Sequence, residues 1–437
     1  MHINILIVSK NQMISNTKVS TRNNWLVTTT TLLLVLLLCL MPQKTSIRSQ
    51  RMLANEPLWF INFDLNEIKH SQAADISGQF SRLVKASQTG SSLLTILHIG
   101  DSHVQADVFT GETRKLLASW LNDDNCARGF TFPHQMIGSN NPDDYSVTWK
   151  GTWKRIINTP RVGIFGVSAQ SSDWGSELSI RLNDQTDRSH YFDRVRIFFD
   201  ADDAQIFPFV ENDGTLIHRD MTSATYQLTA PTNTVTIGNS INPYARAALN
   251  LHAIELTNSR SKLLYHAAGV NGASLSTFLK SDLFTHQVAA INPSITIISL
   301  GTNDVYNPAF CPITFKRNLE QLISKIRSVT PCSMLILTTP GDHLINRTER
   351  NNSITAAQGV ILDVAQNQGC GVWDFFEVMG GAGSIEYWAE KGLSAPDMLH
   401  LNRKGYRLKG ALLFEALTKL DNGNPILIDQ KPLSINE

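Results

Sequence analysis

This sequence has no excess of charge of either sign. Over 437 residues, 38 Lys and Arg stand against 38 Asp and Glu, for a formal net charge of +0. A balanced chain carries no electrostatic footprint for nucleic acid or an anionic surface as its partner. Cysteine is scarce, five in all, and no CxxC or Cys/His spacing points to zinc or another metal. Four of the five lie beyond the N-terminal region: Cys126, Cys311, Cys332 and Cys370. In an exported chain they allow two disulfides in three pairings, and they read equally well as small buried hydrophobes. Internal repeats are absent, and so is any low-complexity tract outside the N-terminal region. What remains is an ordinary globular composition, 42% hydrophobic and 17% charged, long enough for two or three domains.

One long apolar run does occur. "NWLVTTTTLLLVLLLCLMPQ" has a core of roughly sixteen apolar residues, with Lys18 and Arg22 ahead of it and "KTSIRSQR" behind. Residues 1–50 therefore read as a signal peptide or an N-terminal anchor. The core is shorter than the about twenty residues a membrane-spanning helix needs, which favours the signal peptide and leaves membrane attachment as the alternative. Either way the chain is expected to be exported, periplasmic or associated with the cell envelope.

Downstream, an apolar β-forming run, a loop with Gly, Asn or Asp, and a helical pattern recur in that order. "LLTILHIGDS", "SKLLYHAAGVNGAS", "SITIISLGTND" and "SMLILTTPGD" each precede such a helix, and "GCGVWDFFEVM" follows them. The runs are continuously apolar rather than alternating, as in parallel strands covered on both faces. The expected fold is an open, doubly wound, mainly parallel α/β sheet, with functional groups on loops at the strands' carboxyl ends. From about Tyr145 to Leu256 short alternating runs replace this rhythm, among them "FDRVRIFFDA" and "NTVTIGN", with no convincing helix. That interval reads as an antiparallel β-sandwich inserted after the first strand. The expected organisation is 51–144 and 259–437 as two parts of one α/β domain, with 145–258 as the insert.

The loops carry the chemistry. A serine hydroxyl becomes nucleophilic when a neighbouring base takes its proton, and that base needs an acceptor to orient its other nitrogen. Ser102 ends the first strand in "GDSH". In "DMLH", Asp397 and His400 lie three residues apart, so one turn points both the same way. Read singly, "GDS", "GTND" and "DxxH" are ordinary turn or capping signals. Their order along the chain is what carries weight: Gly-Asp-Ser, then a Gly-containing loop, then Gly-Thr-Asn-Asp, then Asp-x-x-His.

This ordered set resembles the SGNH (GDSL-type) hydrolase superfamily, over roughly Leu93 to Leu121 and Ser261 to Leu420. The resemblance implies a flavodoxin-like SGNH sheet and a metal-free, cofactor-free serine esterase. Ser102 would be the nucleophile, His400 the general base and Asp397 its orienting carboxylate. The oxyanion hole would comprise the Ser102 N–H, a glycine N–H from the second block and the Asn303 amide. Gly272 is preferred to Gly269 for that glycine, because it lies further past the strand. The first block departs from the common form: His103 stands where Leu is usual and is a rival base. His98, alternating within the strand, reads as a core histidine.

A β-sandwich between the Ser and Gly blocks is similar to bacterial peptidoglycan O-acetylesterases, whose insert resembles carbohydrate-binding modules. The expected partner is then an O-acetylated glycan, peptidoglycan or another polysaccharide. Trp149, Trp153, Trp174 and Tyr244 are the insert's candidate sugar-stacking rings, although Trp residues in such a sandwich more often fill its core. Acetyl transfer and a non-catalytic glycan-binding role are the alternatives.

Overall fold

The computed structural model describes residues 58–421 apart from 72–74, 184–190, 212–213, 242 and 245–246. The N-terminal apolar run lies outside the described residues, and no described helix is long and apolar enough to cross a membrane.

Six strands form the central sheet: β1 (Ile68–Lys69), β2 (Leu94–Gly100), β3 (Leu263–Gly269), β4 (Ile295–Ser299), β5 (Met334–Thr338) and β6 (Gly371–Trp373). Their order is β1-β6-β5-β4-β2-β3. All neighbours are parallel except β1, which pairs antiparallel with β6 at one edge. Setting β1 aside, the five parallel strands in sequence run 2-1-3-4-5 across the sheet, the flavodoxin-like order. The chain reverses its winding between β2 and β4, and in such sheets ligands bind beyond the carboxyl ends of the strands at that reversal.

Both faces of the sheet are covered. Leu94, Ile96, Ile295, Ile297, Met334 and Ile336 turn to one side, where they pack with Phe80, Leu117 and Leu413. Leu97, Ile99, Ile298, Leu335 and Leu337 turn to the other, against Leu319, Ile323 and Ile361. Strands buried on both faces have no polar side to show, and this explains their continuously apolar sequences. The helices follow simple rules. "PITFKRNLEQLISKIR" starts with Pro at its first turn, where the missing N–H costs nothing, and buries Phe315, Leu319, Leu322, Ile323 and Ile326 along one stripe. The helix Ser353–Gln368 stops at Gly369 in the left-handed conformation (φ 61°).

The interval after β2 holds two antiparallel sheets. One runs Gly214–Arg219, Ser223–Thr232, Phe192–Ala201, Leu249–Thr257, Val167–Ser171 and Lys154–Ile157, with Gly129–Thr131 also paired to Leu249–Thr257. The other runs Tyr145–Lys150, Glu177–Leu182, Thr234–Asn239 and Pro208–Val210. The inserted β-sandwich is thus present, and its core of Phe130, Phe198, Ile180 and Val235 is continuous with the apolar layer on one face of the central sheet. Trp149, Trp174 and Tyr244 are exposed and Trp153 is half-buried, so Phe and aliphatic residues fill the sandwich. None of the four described cysteines is in a disulfide; Cys126 and Cys370 are buried, while Cys311 and Cys332 are exposed.

Candidate active site

The candidate residues converge beyond the carboxyl ends of β2, β3 and β4. The sequence pattern predicts one helix beginning near Val104; instead a single turn, Ser102–Gln105, starts at the serine itself. Asp101 caps it, its Oδ1 accepting the His103 N–H at 3.0 Å. Asp107, at φ 52°, then breaks the chain direction before the long helix Val108–Trp120.

Ser102 Oγ lies 2.8 Å from His400 Nε2, and His400 Nδ1 lies 2.7 Å from Asp397 Oδ2. The "DMLH" segment is a tight turn with Met398 in the left-handed region (φ 57°), not a helical turn. That conformation lets the other oxygen, Asp397 Oδ1, accept the backbone N–H of Leu399 at 3.0 Å and of His400 at 2.9 Å. These bonds and the imidazole hold the Asp397 carboxyl below its ordinary range, although partial burial pushes the other way. A neutral His400 that donates Nδ1–H to Asp397 presents a bare Nε2, and the Ser102 hydroxyl donates to it.

Three hydrogen-bond donors around the serine are uncommitted. Neither the Ser102 N–H nor the Gly272 N–H has an acceptor among the described residues. Asn303 gives one amide hydrogen to Ala273 O at 2.8 Å and keeps the other. The two candidate glycines differ sharply. Gly269 ends a strand, and a Cβ there would lie 2.4 Å from Gln105 N and 2.7 Å from Asp101 O, so its role is close backbone packing. Gly272 sits past the strand at φ 80°, with open space around it.

His103 does not approach the serine's proton. Its Nδ1 bonds the Tyr406 hydroxyl at 2.8 Å and its ring lies 5.1 Å from that of His400, at 38°. Burial, with Lys409 nearby, holds it well below the usual histidine range, which makes it a poor base. His98 is a satisfied core histidine, bonded to Tyr265 Oη at 2.6 Å and Ser299 Oγ at 2.7 Å. Sequence reasoning passed over His343. It backs the site with Nδ1 on Gly341 O at 3.0 Å and Nε2 facing Asn351 at 3.0 Å, and burial takes it down to about 4. Nothing in "TTPGDHLINR" marks it, because it follows β5, where the motif order has no block.

A Ser–His–Asp relay beside free N–H groups, at the switch point of a flavodoxin-like sheet, is the layout of an ester hydrolase. Residues 236–408 match the GDSL-like Lipase/Acylhydrolase family. That stretch, less than half of the chain, is similar to acylhydrolases of this type. The matched segment starts after Ser102, since the sandwich separates the first block from the rest.

No curated protein matches the sequence. Among solved structures the chain is similar to one described as "Peptidoglycan O-acetylesterase in action", with 22% identity and a TM-score of 0.67, covering 83% of this chain and 98% of that one. It is also similar to an acetyl xylan esterase at 19% identity and a TM-score of 0.30, covering 35% of this chain and 81% of that one. An acetylxylan esterase from Geobacillus stearothermophilus matches at 14% identity and a TM-score of 0.30, over 36% of this chain and 72% of that one.

Proposed function

We propose that this protein is an exported serine esterase that removes O-acetyl groups from a cell-wall glycan, peptidoglycan foremost. The observation that carries this reading is the hydrogen-bonded line Ser102–His400–Asp397, at 2.8 and 2.7 Å, beside three unused donors.

Ser102 Oγ attacks the acetyl carbonyl while His400 Nε2 takes its proton. The negative charge that develops on the carbonyl oxygen meets the N–H groups of Ser102 and Gly272 and the Asn303 amide. As the tetrahedral adduct collapses, His400 passes the proton to the departing sugar hydroxyl, leaving an acetyl group on Ser102. A water molecule, deprotonated by His400, then releases acetate and restores the serine. Asp397 stays ionised throughout and stabilises the imidazolium.

Substrate class rests on likeness and accessibility. The match to the peptidoglycan O-acetylesterase structure covers 83% of this chain, more than the α/β part alone supplies. His400 and Asp397 keep 31% and 42% of their side-chain surface exposed, so a polymer can reach the relay without entering a deep cavity. Export follows from the apolar run at residues 1–50 and from where such a glycan lies.

The test is acetate release from O-acetylated peptidoglycan, with acetylated xylan and an added sugar acceptor as parallel arms. The wild type should release acetate from peptidoglycan fastest, and Ser102→Ala should release none. Wild-type rates from Ser102→Ala would remove the mechanism, and a preference for xylan or for acetyl transfer would reassign the substrate.

A further inference from the structure

The loop after β3 offers four consecutive amides to the active site, and three are consumed internally. Val270 N–H donates to Gly100 O at 3.4 Å, and Ala273 N–H to Val270 O at 3.1 Å. Asn271 N–H donates to Gln105 Oε1 at 2.6 Å. The Gly272 N–H is the one left without an acceptor among the described residues.

Gln105 stands three residues beyond Ser102, on the same helical turn, and is 3% exposed. Its amide nitrogen is fully engaged: it donates to Ser139 Oγ and to Asn140 O, each at 3.0 Å, and lies 3.2 Å from Asn140 Oδ1. Asn271 closes the ring from its own side chain, with Nδ2 on Ser139 Oγ at 3.3 Å and on Asn140 Oδ1 at 3.1 Å. A buried amide is costly unless its hydrogen bonds are made, and here both the oxygen and the nitrogen of Gln105 are used.

The turn these bonds hold explains why. Residues 270–273 form a β-turn closed by Ala273 N–H on Val270 O, and Gly272 at φ 80° gives it the type II geometry. Type I and type II turns share the closing bond and differ by a flip of the central peptide, here the one between Asn271 and Gly272. That flip reverses the direction of the Gly272 N–H. The preceding peptide is gripped at both ends, its oxygen by Ala273 and its nitrogen by Gln105, so the central peptide turns against a neighbour that Gln105 holds.

We propose that Gln105 is the positioning residue of the oxyanion hole. By holding the Asn271 N–H it keeps the 270–273 turn in the form that aims the Gly272 N–H at the reacting carbonyl. By holding Ser139 and Asn140 it ties that donor to the segment leading into the sandwich. The inference rests on the reading of Ser102 as nucleophile and Gly272 as donor.

Gln105→Met keeps the volume and removes the acceptor; Gln105→Glu keeps the acceptor oxygen and removes the amide donors. Hydrolysis of a chromogenic acetyl ester should show kcat of Gln105→Met reduced about ten- to a hundredfold, with KM within twofold, because the donor acts on the transition state. Gln105→Glu should recover most of that loss, and the melting temperatures should not follow the kcat order. Wild-type kcat in Gln105→Met overturns the proposal. So does an equal loss in both variants, which would assign the effect to packing. A Ser102→Ala control separates the two levels: an active Ser102→Ala removes the underlying reading, whereas an inactive one beside a fully active Gln105→Met removes only the role of Gln105.

Discussion

Buried charge is handled in opposite ways at the seam with the sandwich and beneath the nucleophile. At the seam, Asp107 lies between Arg114 at 2.9 Å and Arg128 at 2.7 Å, and Asp144 completes the cluster. Burial pushes the Asp107 carboxyl up, but the two guanidinium groups win and hold it below its usual range. Nearby, burial opposes the ionised form of Glu255 too, yet Arg196 and His266 bring it down to about 2. Beneath Ser102 burial wins. His98 falls to about 3 and Lys409 to about 8, while Asp304 rises to about 6. The difference lies in the partners. Seam groups meet opposite charge within hydrogen-bond reach; His98 meets two hydroxyls, and Lys409 lies over the rings of Phe109 and Phe375 at 4.7 and 4.2 Å. Ions clamp the seam. Under the serine, burial shifts each group toward its neutral form, and fixed N–H groups supply what a charge developing on a carbonyl oxygen needs.

Substitutions can break or sharpen this contrast. The relay is the one part of the site where full charge is wanted, so Asp397→Asn should lower kcat about a thousandfold, read on a chromogenic acetyl ester. Arg128→Met should destabilise the fold by about 3 kcal/mol in urea unfolding, since it strips a buried carboxylate cluster of one cation. Lys409→Met, by contrast, should change stability by no more than about 1 kcal/mol. A larger loss at Lys409 than at Arg128 would erase the distinction. Asn303→Ala should cost about a hundredfold in kcat with KM little changed, as the loss of one oxyanion donor does.

The last effect concerns pH. Asp304 accepts the Leu275 N–H at 3.3 Å, and burial, with Asp101 adding to it, lifts its carboxyl to about 6. An acid whose folded value lies above its unfolded one holds its proton longer in the folded state. Its contribution to stability therefore falls as pH rises from about 4 to about 6. Asp304→Asn keeps an acceptor oxygen and should flatten the melting temperature across that window, leaving the variant more stable at pH 7 by at most about 3 kcal/mol. A steeper fall in the variant would count against the burial argument.

Much of this was legible in the sequence because chemistry and topology coincide. Apolar runs ending in Gly-Asp-Ser or Gly-Thr-Asn-Asp announce strands that deliver polar groups to one edge, which singles out Ser102 and Asn303, while Asp397 and His400 stand out by their spacing in "DMLH". The conformations at those positions were not legible. Met398 in the left-handed region makes "DMLH" a tight turn, and Asp107 splits what reads as one helix, because both depend on contacts made across the fold. Gln105 was missed for a related reason. A glutamine in a helical pattern reads as a solvated residue, and only the arrival of Asn271, 166 residues later, gives it work to do. Lys409 is similar: in "RKGYRLKG" it looks like one more surface cation, yet it is 6% exposed.

Ser102 and His400 are separated by 298 residues of chain. A chain emerging from its N-terminus therefore displays Ser102 long before it owns His400, and between them it must complete an entire β-sandwich and most of a parallel sheet. Contacts so distant in sequence form late and slowly. On the reading proposed above, hydrolytic power belongs only to the folded molecule, in which these two distant loops have met.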